Sequence, residues 1–528
     1  MKRLTLILCT LLVTQLICAG IHTYTEESVL QNGNIIKVRV SKTGVHVIPY
    51  DSLSAWGLRP ENVCVLGYGG GMLSENFTEH HWDDLPPVSF YMHKGSDKVF
   101  NSGDYILFYA QGPTQWQCAS NGIWRHKQNP YSNYGYYFVT DKKSLQREIQ
   151  TSTDNYDTEE IIDIDWYTAY RVHEKDAVNL IDPSGLSGGG REFYGEVLNT
   201  NNRTLTIPFT LQNVRTDLPA YCCVDMAAFS GDELTMQISY AGKTTAMKLP
   251  AISVSDFYTK AVTKSVNLEV NATSTTKQEV SLVFKGSSSS SLAYLNYVEM
   301  NVPCDLNMIG KEMAITNTRF LGQNSLIRYN LKGATAQTQI WRVTDGVNIV
   351  KMPTEFKNNI LTWVSENTNA EKYVAVNPSS SGFSTPTRVG RVTNQNLHAL
   401  SNIDYVIICP KDFTEPALRL ARKHEEVDNL TWAVVTDEQV YNEFSSGTPD
   451  ATAYRWLMKM LYDRAGNNTA TRPKNLLLMG DGTFDNRKIL SNSGDCKLLT
   501  YQAQNSVNET MAYATDDYFG FLLDHAGI

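Results

Sequence analysis

The hydrophobic pattern divides the chain into a long β-rich part and a shorter α/β part. Up to about residue 395, short stretches of alternating apolar and polar residues are separated by turn residues, which predicts strands. Residues 34–40 and 44–48 predict a hairpin, and residues 103–109 and 136–139 predict two more strands. These stretches belong to a first β-rich domain, predicted to cover residues 20–181.

Turn-rich segments mark the other predicted boundaries. Residues 182–190 read Asp-Pro-Ser-Gly-Leu-Ser-Gly-Gly-Gly and predict a linker. After it, short strands at regular intervals predict a β-sandwich over residues 191–304. Residues 305–395 continue the strand pattern and predict a further β-rich domain.

The pattern changes over residues 396–528. The strands predicted at 405–409, 431–435 and 475–479 are apolar on both faces, and helices are predicted between them. A β-α-β-α-β order of this kind predicts a parallel sheet with helices on both faces. The predicted fold class is therefore multidomain, with β-rich domains including a β-sandwich followed by an α/β domain.

Acidic residues follow the strands of this predicted sheet. Asp412, Asp437 and Asp481 each lie in the loop after a strand, and ligands of open parallel sheets bind at this edge. The candidate site residues are four aspartates at this edge or in loops just beyond it: Asp481, Asp485, Asp516 and Asp517. Their carboxylates could bind a hard cation such as calcium, recognise a basic substrate side chain, or do acid–base work. The alternative is that they are capping and turn residues.

The sequence offers no nucleophile with a suitable partner residue nearby. Cys496 is the only cysteine near this edge, and the nearest histidine in sequence is His525. A cysteine nucleophile needs an imidazole within hydrogen-bond distance, so no residue is predicted to be catalytic. His424 and the pair His80-His81 are predicted to be structural.

The N-terminus predicts export. Lys2 and Arg3 precede an apolar run and a small-residue cleavage site, which is typical of a signal peptide over residues 1–19; lipidation at Cys18 is the alternative. The net charge of −9 argues against nucleic acid as a partner. The seven cysteines after residue 19 contain no Cys-x-x-Cys pair, so neither a zinc site nor a disulfide framework is predicted.

Several segments, taken in order, resemble a known family. Those of the α/β part resemble the opening of a gingipain-type cysteine peptidase domain: residues 405–413, 432–441, 476–485 and 515–520. Those of the β-rich part resemble the surface sortases of type IX secretion systems: residues 103–113, 129–132 and 193–196.

The resemblance implies a caspase-like peptidase domain at the outer-membrane surface of a bacterium. Its implied activity is removal of the C-terminal sorting domain from exported cargo, followed by attachment to anionic lipopolysaccharide. The implied partners are therefore cargo proteins, anionic lipopolysaccharide and outer-membrane secretion components. No cofactor is implied for the chemistry, and a structural calcium is one option.

The family's catalytic residues have no match in the 528 residues. Its histidine lies in a Gly-His-Gly motif and its cysteine follows a further strand, whereas no histidine here is flanked by glycines and no cysteine follows Cys496. We therefore expect an N-terminal portion of such an enzyme, inactive alone. The resemblance implies that Asp516 or Asp517 lies near the substrate pocket or a structural calcium.

Two other functions stay open. One is a non-catalytic secreted β-sandwich protein that mediates adhesion or binds glycans. The other is a metal-dependent hydrolase that uses the pairs Asp481/Asp485 and Asp516/Asp517, although no histidine ligand lies near them in sequence.

Overall fold

A computed structural model of the chain describes residues 22–154, 156, 160–253, 255–323, 325–366 and 368–525. The predicted signal peptide and the lipidation alternative at Cys18 lie outside these residues. None of the helices in the described ranges combines the length and the apolarity needed to span a membrane.

Strands dominate the described residues before residue 400. The first third of the chain contains one short α-helix among its described residues, α1 (Tyr50–Ala55). Its strands are β1 (Ile35–Val40), β2 (Gly44–Pro49), β3 (Cys64–Leu66), β4 (Pro87–Val88), β5 (Phe90–His93), β6 (Tyr105–Ala110), β7 (Thr114–Cys118), β8 (Trp124–Gln128), β9 (Gly135–Thr140), β10 (Gln150–Thr151), β11 (Ile161–Ile164) and β12 (Trp166–Glu174).

The strands of the middle third are β13 (Val197–Leu198), β14 (Thr204–Thr210), β15 (Pro219–Phe229), β16 (Leu234–Tyr240), β17 (Lys243–Leu249), β18 (Val262–Asn271), β19 (Lys277–Phe284) and β20 (Leu292–Asp305). They are followed by β21 (Glu312–Thr316), β22 (Leu326–Lys332), β23 (Gln339–Arg342), β24 (Val350–Lys351), β25 (Glu355–Lys357), β26 (Ile360–Glu366), β27 (Lys372–Val376) and β28 (Thr387–Arg391).

The other α-helices of the described residues lie in the α/β part, after residue 400. Its elements are β29 (Tyr405–Cys409), α2 (Thr414–Asp428), β30 (Trp432–Thr436), α3 (Asp437–Phe444), α4 (Thr452–Ala465), β31 (Asn475–Leu478), β32 (Tyr501–Gln502) and β33 (Ala514–Thr515).

The predicted hairpin of β1 and β2 is wrong. β1 pairs with β9 and β28 in the sheet β28-β1-β9-β3-β4, whereas β2 pairs with β6 in the sheet β2-β6-β5. Five of the six residues of β1 are buried, because side chains from both of its faces enter hydrophobic cores. A strand that is buried on both faces takes a central place in a sheet. The short turn after β1 therefore leads to β2 in a second sheet, which packs against the first, and not to a neighbouring strand of the same sheet.

The predicted β-sandwich is present as a five-stranded layer and a four-stranded layer. One has the order β12-β20-β15-β18, with β13 beside β20, and the other has the order β14-β19-β16-β17. Strand β16 alternates buried and half-buried residues, as a strand with one core face should. Val224 and Met226 of the first layer and Ile238 and Leu282 of the second share one core.

Sheet membership crosses the predicted domain boundaries. β12, which precedes the predicted linker, pairs with β20 from Trp166 opposite Asp305 to Glu174 opposite Tyr297. β28, at the end of the third predicted domain, pairs with β1 near the N-terminus. The strands between form the sheets β10-β24-β23-β27-β21 and β11-β22-β26-β25. The domain bounds themselves stay predictions.

The last part contains the predicted parallel sheet, in the order β30-β29-β31, which confirms the predicted fold class. Ile407 and Cys409 point to α2, whereas Val406 and Ile408 point to α3 and α4, so both faces are covered. The helix α3 was missed in the sequence. Its signal is a capping box, in which the Thr436 hydroxyl accepts from the Gln439 backbone and the Gln439 side chain accepts from the Thr436 backbone.

The helix α4 lies at the junction between the α/β part and the β-rich part. Residues 452–461 are all buried, and their core includes Leu73 and Phe77 from the β-rich part. The guanidinium of Arg455 donates to the carbonyl oxygens of Glu75 (2.6 Å) and Phe521 (2.9 Å). The β-rich part and the α/β part therefore share one hydrophobic core at this junction.

The segment predicted as a linker, residues 182–190, is a packing surface for the α/β part. A Cβ placed on Gly188 would lie 2.5 Å from the Phe484 ring, and one on Gly190 would lie 1.9 Å from the Asn505 carbonyl oxygen. Gly190 also has a φ of +68°, which side chains with a Cβ rarely adopt. The glycines therefore permit close approach of two backbones.

We expect Gly190→Ala to destabilise the chain by about 3 kcal/mol, because it adds both a clash and left-handed backbone strain. Hydrogen exchange should become faster in residues 503–512, and the midpoint of thermal unfolding should fall. Gly494→Ala is the matched control, since a Cβ there meets nothing within 4 Å, and its effect should stay within about 0.5 kcal/mol. Equal effects of the two changes would contradict the packing role.

Candidate functional site

The carboxyl ends of β29, β30 and β31 form the edge at which the sequence predicts a site. Asp412, after β29, is exposed, and so is Asp481, after β31. Asp437 opens α3 and is partly buried; burial, with Glu438 beside it, raises the pKa of its carboxyl group to about 6. The edge is acidic, and its carboxylates differ in environment.

Asp485 organises its own loop. Its buried carboxylate accepts hydrogen bonds from the backbone N–H groups of Ile489 (2.8 Å) and Leu490 (2.7 Å) and from the Ser493 hydroxyl (2.9 Å). The backbone carbonyl oxygen of Asp481 accepts hydrogen bonds from the backbone N–H groups of Lys497 and Leu498, while its side chain is exposed. Asp485 thus resembles a turn-capping residue, whereas the Asp481 carboxylate faces solvent.

Asp516 and Asp517 are exposed at a turn held by buried aromatic residues. The Thr515 hydroxyl accepts from the Asp517 backbone (3.2 Å), and the following residues form a short 3-10 turn. Tyr518 is fully buried, exchanges a hydrogen bond with the Thr452 hydroxyl (2.9 Å) and stacks on Tyr501. The buried rings therefore fix the position from which the two carboxylates project.

The same two aspartates border a cavity of about 630 Å³ beside β31. Lys474, Leu476, Leu478 and Phe521 line it as well. Its wall combines apolar side chains with two exposed carboxylates, which is a surface suited to an apolar segment that carries a basic group.

In the described ranges, no three of the four predicted site aspartates bring carboxylate oxygens within 4.8 Å of one another. The one group of three or more metal-ligating side chains found in those ranges is Asp84, His398 and Glu443. The calcium, substrate and acid–base roles therefore stay predictions.

Cys496 is near the acidic edge but lacks the environment of a nucleophile. Its half-buried thiol donates to the Leu498 carbonyl oxygen (3.1 Å). Burial, together with Asp437, Asp481 and Asp485, raises the pKa of the thiol to about 11. In the part of the chain that the structure describes, no cysteine exchanges a hydrogen bond with a histidine. The thiol is therefore protonated at neutral pH.

We expect the alkylation of Cys496 by iodoacetamide to accelerate about tenfold for each pH unit between 7 and 10, because only the thiolate reacts. The rate is measured on the Cys496 peptide by mass spectrometry. N-acetylcysteine is the control, and its rate should level off near pH 9, since an ordinary thiol has a pKa of about 8.5. A plateau for Cys496 near pH 7 would contradict the raised pKa.

A buried ion network close to the sheet was missed by sequence reasoning. The ring of His398 hydrogen-bonds through Nδ1 to Glu443 (2.6 Å) and through Nε2 to Asp83 (3.1 Å). Burial alone would lower the pKa of the imidazole, but the bonds to Asp83 and Glu443, with Asp84 nearby, raise it to about 9. Both nitrogens of the His398 ring are thus hydrogen-bonded to carboxylates. The group Asp84, His398 and Glu443 therefore acts as an ion network, which ties the segment around Asp83 to α3.

We expect His398→Ala to destabilise the chain by about 3 kcal/mol at pH 6.5, because it leaves the fully buried Glu443 carboxylate without its cation. The folded-state pKa lies above the unfolded value of about 6.5, so this stabilisation is complete below pH 6.5 and is lost as pH rises through about 9. Urea unfolding at pH 6.5 and 9.5 should give a smaller difference from the wild type at the higher pH.

His424→Ala is the matched control for this experiment. His424 also pairs with a carboxylate, Asp428 (2.6 Å), but on the exposed surface of α2. Its loss should cost no more than about 0.5 kcal/mol. A pH-independent effect of His398→Ala, or an equal effect of His424→Ala, would contradict the role of the buried ion network.

Comparison with known proteins finds a family match in the α/β part. Residues 398–526 match the profile of peptidase family C25. The structure is similar to that of dimeric latent PorU from Porphyromonas gingivalis, with 28% sequence identity and a TM-score of 0.82 over 97% of this chain and 48% of PorU. The chain thus spans about half the length of that protein. A search of curated protein sequences returned no match.

These findings confirm the resemblance to a gingipain-type, PorU-like protein and the predicted fold class, and the C25 match supports a cysteine peptidase by family. Carbohydrate-binding modules also align with part of the chain. One from the hindgut metagenome of Trinervitermes trinervoides covers 25% of this chain and 96% of its own at 12% identity, with a TM-score of 0.15. One from Clostridium thermocellum covers 25% of this chain and 90% of its own at 10% identity, with a TM-score of 0.16. Scores this low carry no argument about function.

Proposed function

We propose that this chain is part of an exported, cell-surface cysteine peptidase and sortase. In this proposal the enzyme removes the C-terminal sorting domain of exported cargo and joins the new carboxyl end to anionic lipopolysaccharide. The observation that carries the proposal is the similarity to PorU over 97% of the chain, with a C25 match at residues 398–526.

The proposed chemistry has two steps. A cysteine thiolate attacks the scissile carbonyl, the amide C–N bond breaks, and a histidine gives a proton to the amine of the departing sorting domain. Water or an amine on the lipopolysaccharide then attacks the thioester, which releases the thiol. Cys496 is a poor candidate for this thiolate because its pKa is raised and no imidazole contacts it in the described ranges.

We assign Asp516 and Asp517 to the substrate-facing rim. Both carboxylates are exposed, neither is hydrogen-bonded through its side chain in the described part of the chain, and both border the cavity beside β31. A basic cargo residue would find two negative charges there beside an apolar wall. Calcium binding by the same pair is the alternative outcome of the test.

We expect the purified 528-residue chain to show no thiol-dependent cleavage of a cargo segment that spans the sorting-domain junction. Cys496→Ala should leave this result unchanged. Cleavage is followed by mass spectrometry of the cargo. Hydrolysis that Cys496→Ala abolishes would overturn the assignment of Cys496 as non-catalytic.

The same cargo segment, labelled with fluorescein, tests the rim by fluorescence anisotropy. Replacing both Asp516 and Asp517 with Asn should weaken its binding about tenfold, since two charges facing a basic residue are removed. Asp51→Asn, an exposed aspartate of α1, should leave binding unchanged. Calcium titration of both proteins by calorimetry separates the alternatives: calcium binding lost in the double variant, with cargo binding intact, would refute the substrate role.

A further inference from the structure

A cavity of about 190 Å³ lies on the outer face of the five-stranded sandwich layer. Trp166, Tyr221 and Pro303 line it from β12, β15 and β20, and on these strands the lining residues alternate with residues of the sandwich core. The tip of the β7–β8 hairpin contributes Gly122, and the segment after β21 contributes Arg319. Segments that lie far apart in sequence therefore meet around one small space.

Hydrogen bonds between these segments fix the cavity wall. The Thr318 hydroxyl donates to the Gly122 carbonyl oxygen (2.6 Å), which joins the segment after β21 to the hairpin. The Asn301 side chain accepts from the Trp124 backbone N–H (2.8 Å) and donates to the Trp124 carbonyl oxygen (2.9 Å), which joins β20 to the same hairpin. Contacts within the protein therefore hold the wall in place, as in small-molecule sites, which are usually preformed.

Most of the wall is apolar or aromatic. Trp166 and Tyr221 are half-buried, and Leu218, Pro219 and Pro303 add aliphatic surface beside them. An apolar ligand is stabilised by such a wall because its surface is removed from water, and an aromatic ligand can also stack on the rings or meet them edge to face. The lining therefore favours a ligand with a flat apolar ring.

Arg319 carries the one charge among the residues that line the cavity. It is exposed, and in the part of the chain that the structure describes no carboxylate oxygen lies within 4.0 Å of its guanidinium nitrogens. Burial and the neighbouring Glu269 raise the pKa of the Tyr221 hydroxyl group, whereas Arg319 lowers it, so the guanidinium lies near that ring. Glu269 does not line the cavity. The wall thus combines an apolar surface with one positive charge that has no ion-pair partner.

We propose that this cavity binds a small organic acid, with an aromatic ring against Trp166 and Tyr221 and a carboxylate on Arg319. A guanidinium can hold a carboxylate through two parallel hydrogen bonds, and one guanidinium balances one negative charge. A neutral sugar would leave the charge unused, and an inorganic anion would leave the apolar wall facing water. The volume is smaller than that of drug-sized sites and suits one ring with a short acidic arm. The proposal does not rest on the proposed peptidase function.

Isothermal titration calorimetry of the full chain tests the proposal with two acids. Phenylacetate represents a free acid, and acetyl-Gly-Phe with a free carboxyl end represents the last residue of a peptide. Phenylacetamide and acetyl-Gly-Phe-amide keep the ring without the charge, and acetate keeps the charge without the ring. We expect at least one acid to bind at least about tenfold more tightly than its amide and than acetate, since the ring and the carboxylate act together.

Two variants locate the binding. Arg319→Gln should weaken the binding of the acid at least about tenfold and leave any binding of its amide unchanged, because it removes only the charge. Tyr221→Leu should weaken the binding of acid and amide alike, about threefold or more, because it removes the ring and keeps an apolar side chain.

Arg388→Gln is the matched control. Arg388 is an exposed arginine of β28 that does not line the cavity, so its replacement should leave binding unchanged. Because Arg319 and Arg388 are both exposed, the midpoint of thermal unfolding should be the same in both variants as in the wild type.

The outcomes divide clearly. Binding of phenylacetate alone supports the proposal with a free acid as the source, and binding of acetyl-Gly-Phe alone supports it with the carboxyl end of a peptide as the source. Binding of neither acid overturns the proposal. An amide or acetate that binds as tightly as the acid also overturns it, as does acid binding that Arg319→Gln leaves unchanged or that Arg388→Gln weakens equally.

Discussion

The arrangement of the whole chain depends on one buried cation, the guanidinium of Arg455 in α4. It has no carboxylate partner among the described residues; instead it donates to the carbonyl oxygens of Glu75 and Phe521 and lies between the rings of Phe77 and Tyr518, 4.1 and 4.7 Å from their centroids. Burying a charge is costly unless its N–H groups have acceptors and aromatic faces lie against it, as they do here. Because Phe77 belongs to the β-rich part and Phe521 follows the Asp516-Asp517 turn, α4 can pack only when both are in place. The proposed substrate rim is thereby coupled to the N-terminal part of the molecule.

The elements that the sequence predicted well are those with a local cause. Apolar runs such as Tyr405–Cys409 allow only a strand buried on both faces, and the alternation in Leu234–Tyr240 allows only a strand with one core face. The hairpin of β1 and β2 failed because the choice of a partner strand depends on a distant surface, here β28. The ion network of His398 was invisible for the same reason, since Glu443 and Asp83 lie 45 and 315 residues away in sequence.

The sequence names candidate site residues, but the surroundings of their side chains depend on how the loops fold. The order of strands and loops predicted that Asp481 follows a strand of the parallel sheet, and in the structure it lies just after β31, because parallel strands end on one side of a sheet. It could not tell that the Asp485 carboxylate is used by the N–H groups of its own loop, since that depends on the fold of residues 486–493. Nor could it give the pKa of the Cys496 thiol, which burial sets more than neighbouring residue types.

The pairing of β1 with β28 also has a consequence for the order in which this protein is made. Asn34, just before β1, and Arg391, at the end of β28, are hydrogen-bonded although 357 residues separate them. At a ribosome that adds about 5–20 residues per second, one edge of β1 waits roughly 20–70 s for its partner. β9 protects the other edge much earlier. A chain that emerges from its N-terminus therefore carries an open, apolar strand edge until the residues up to Arg391 have followed, and a chaperone that shields exposed strands would be needed early and released late.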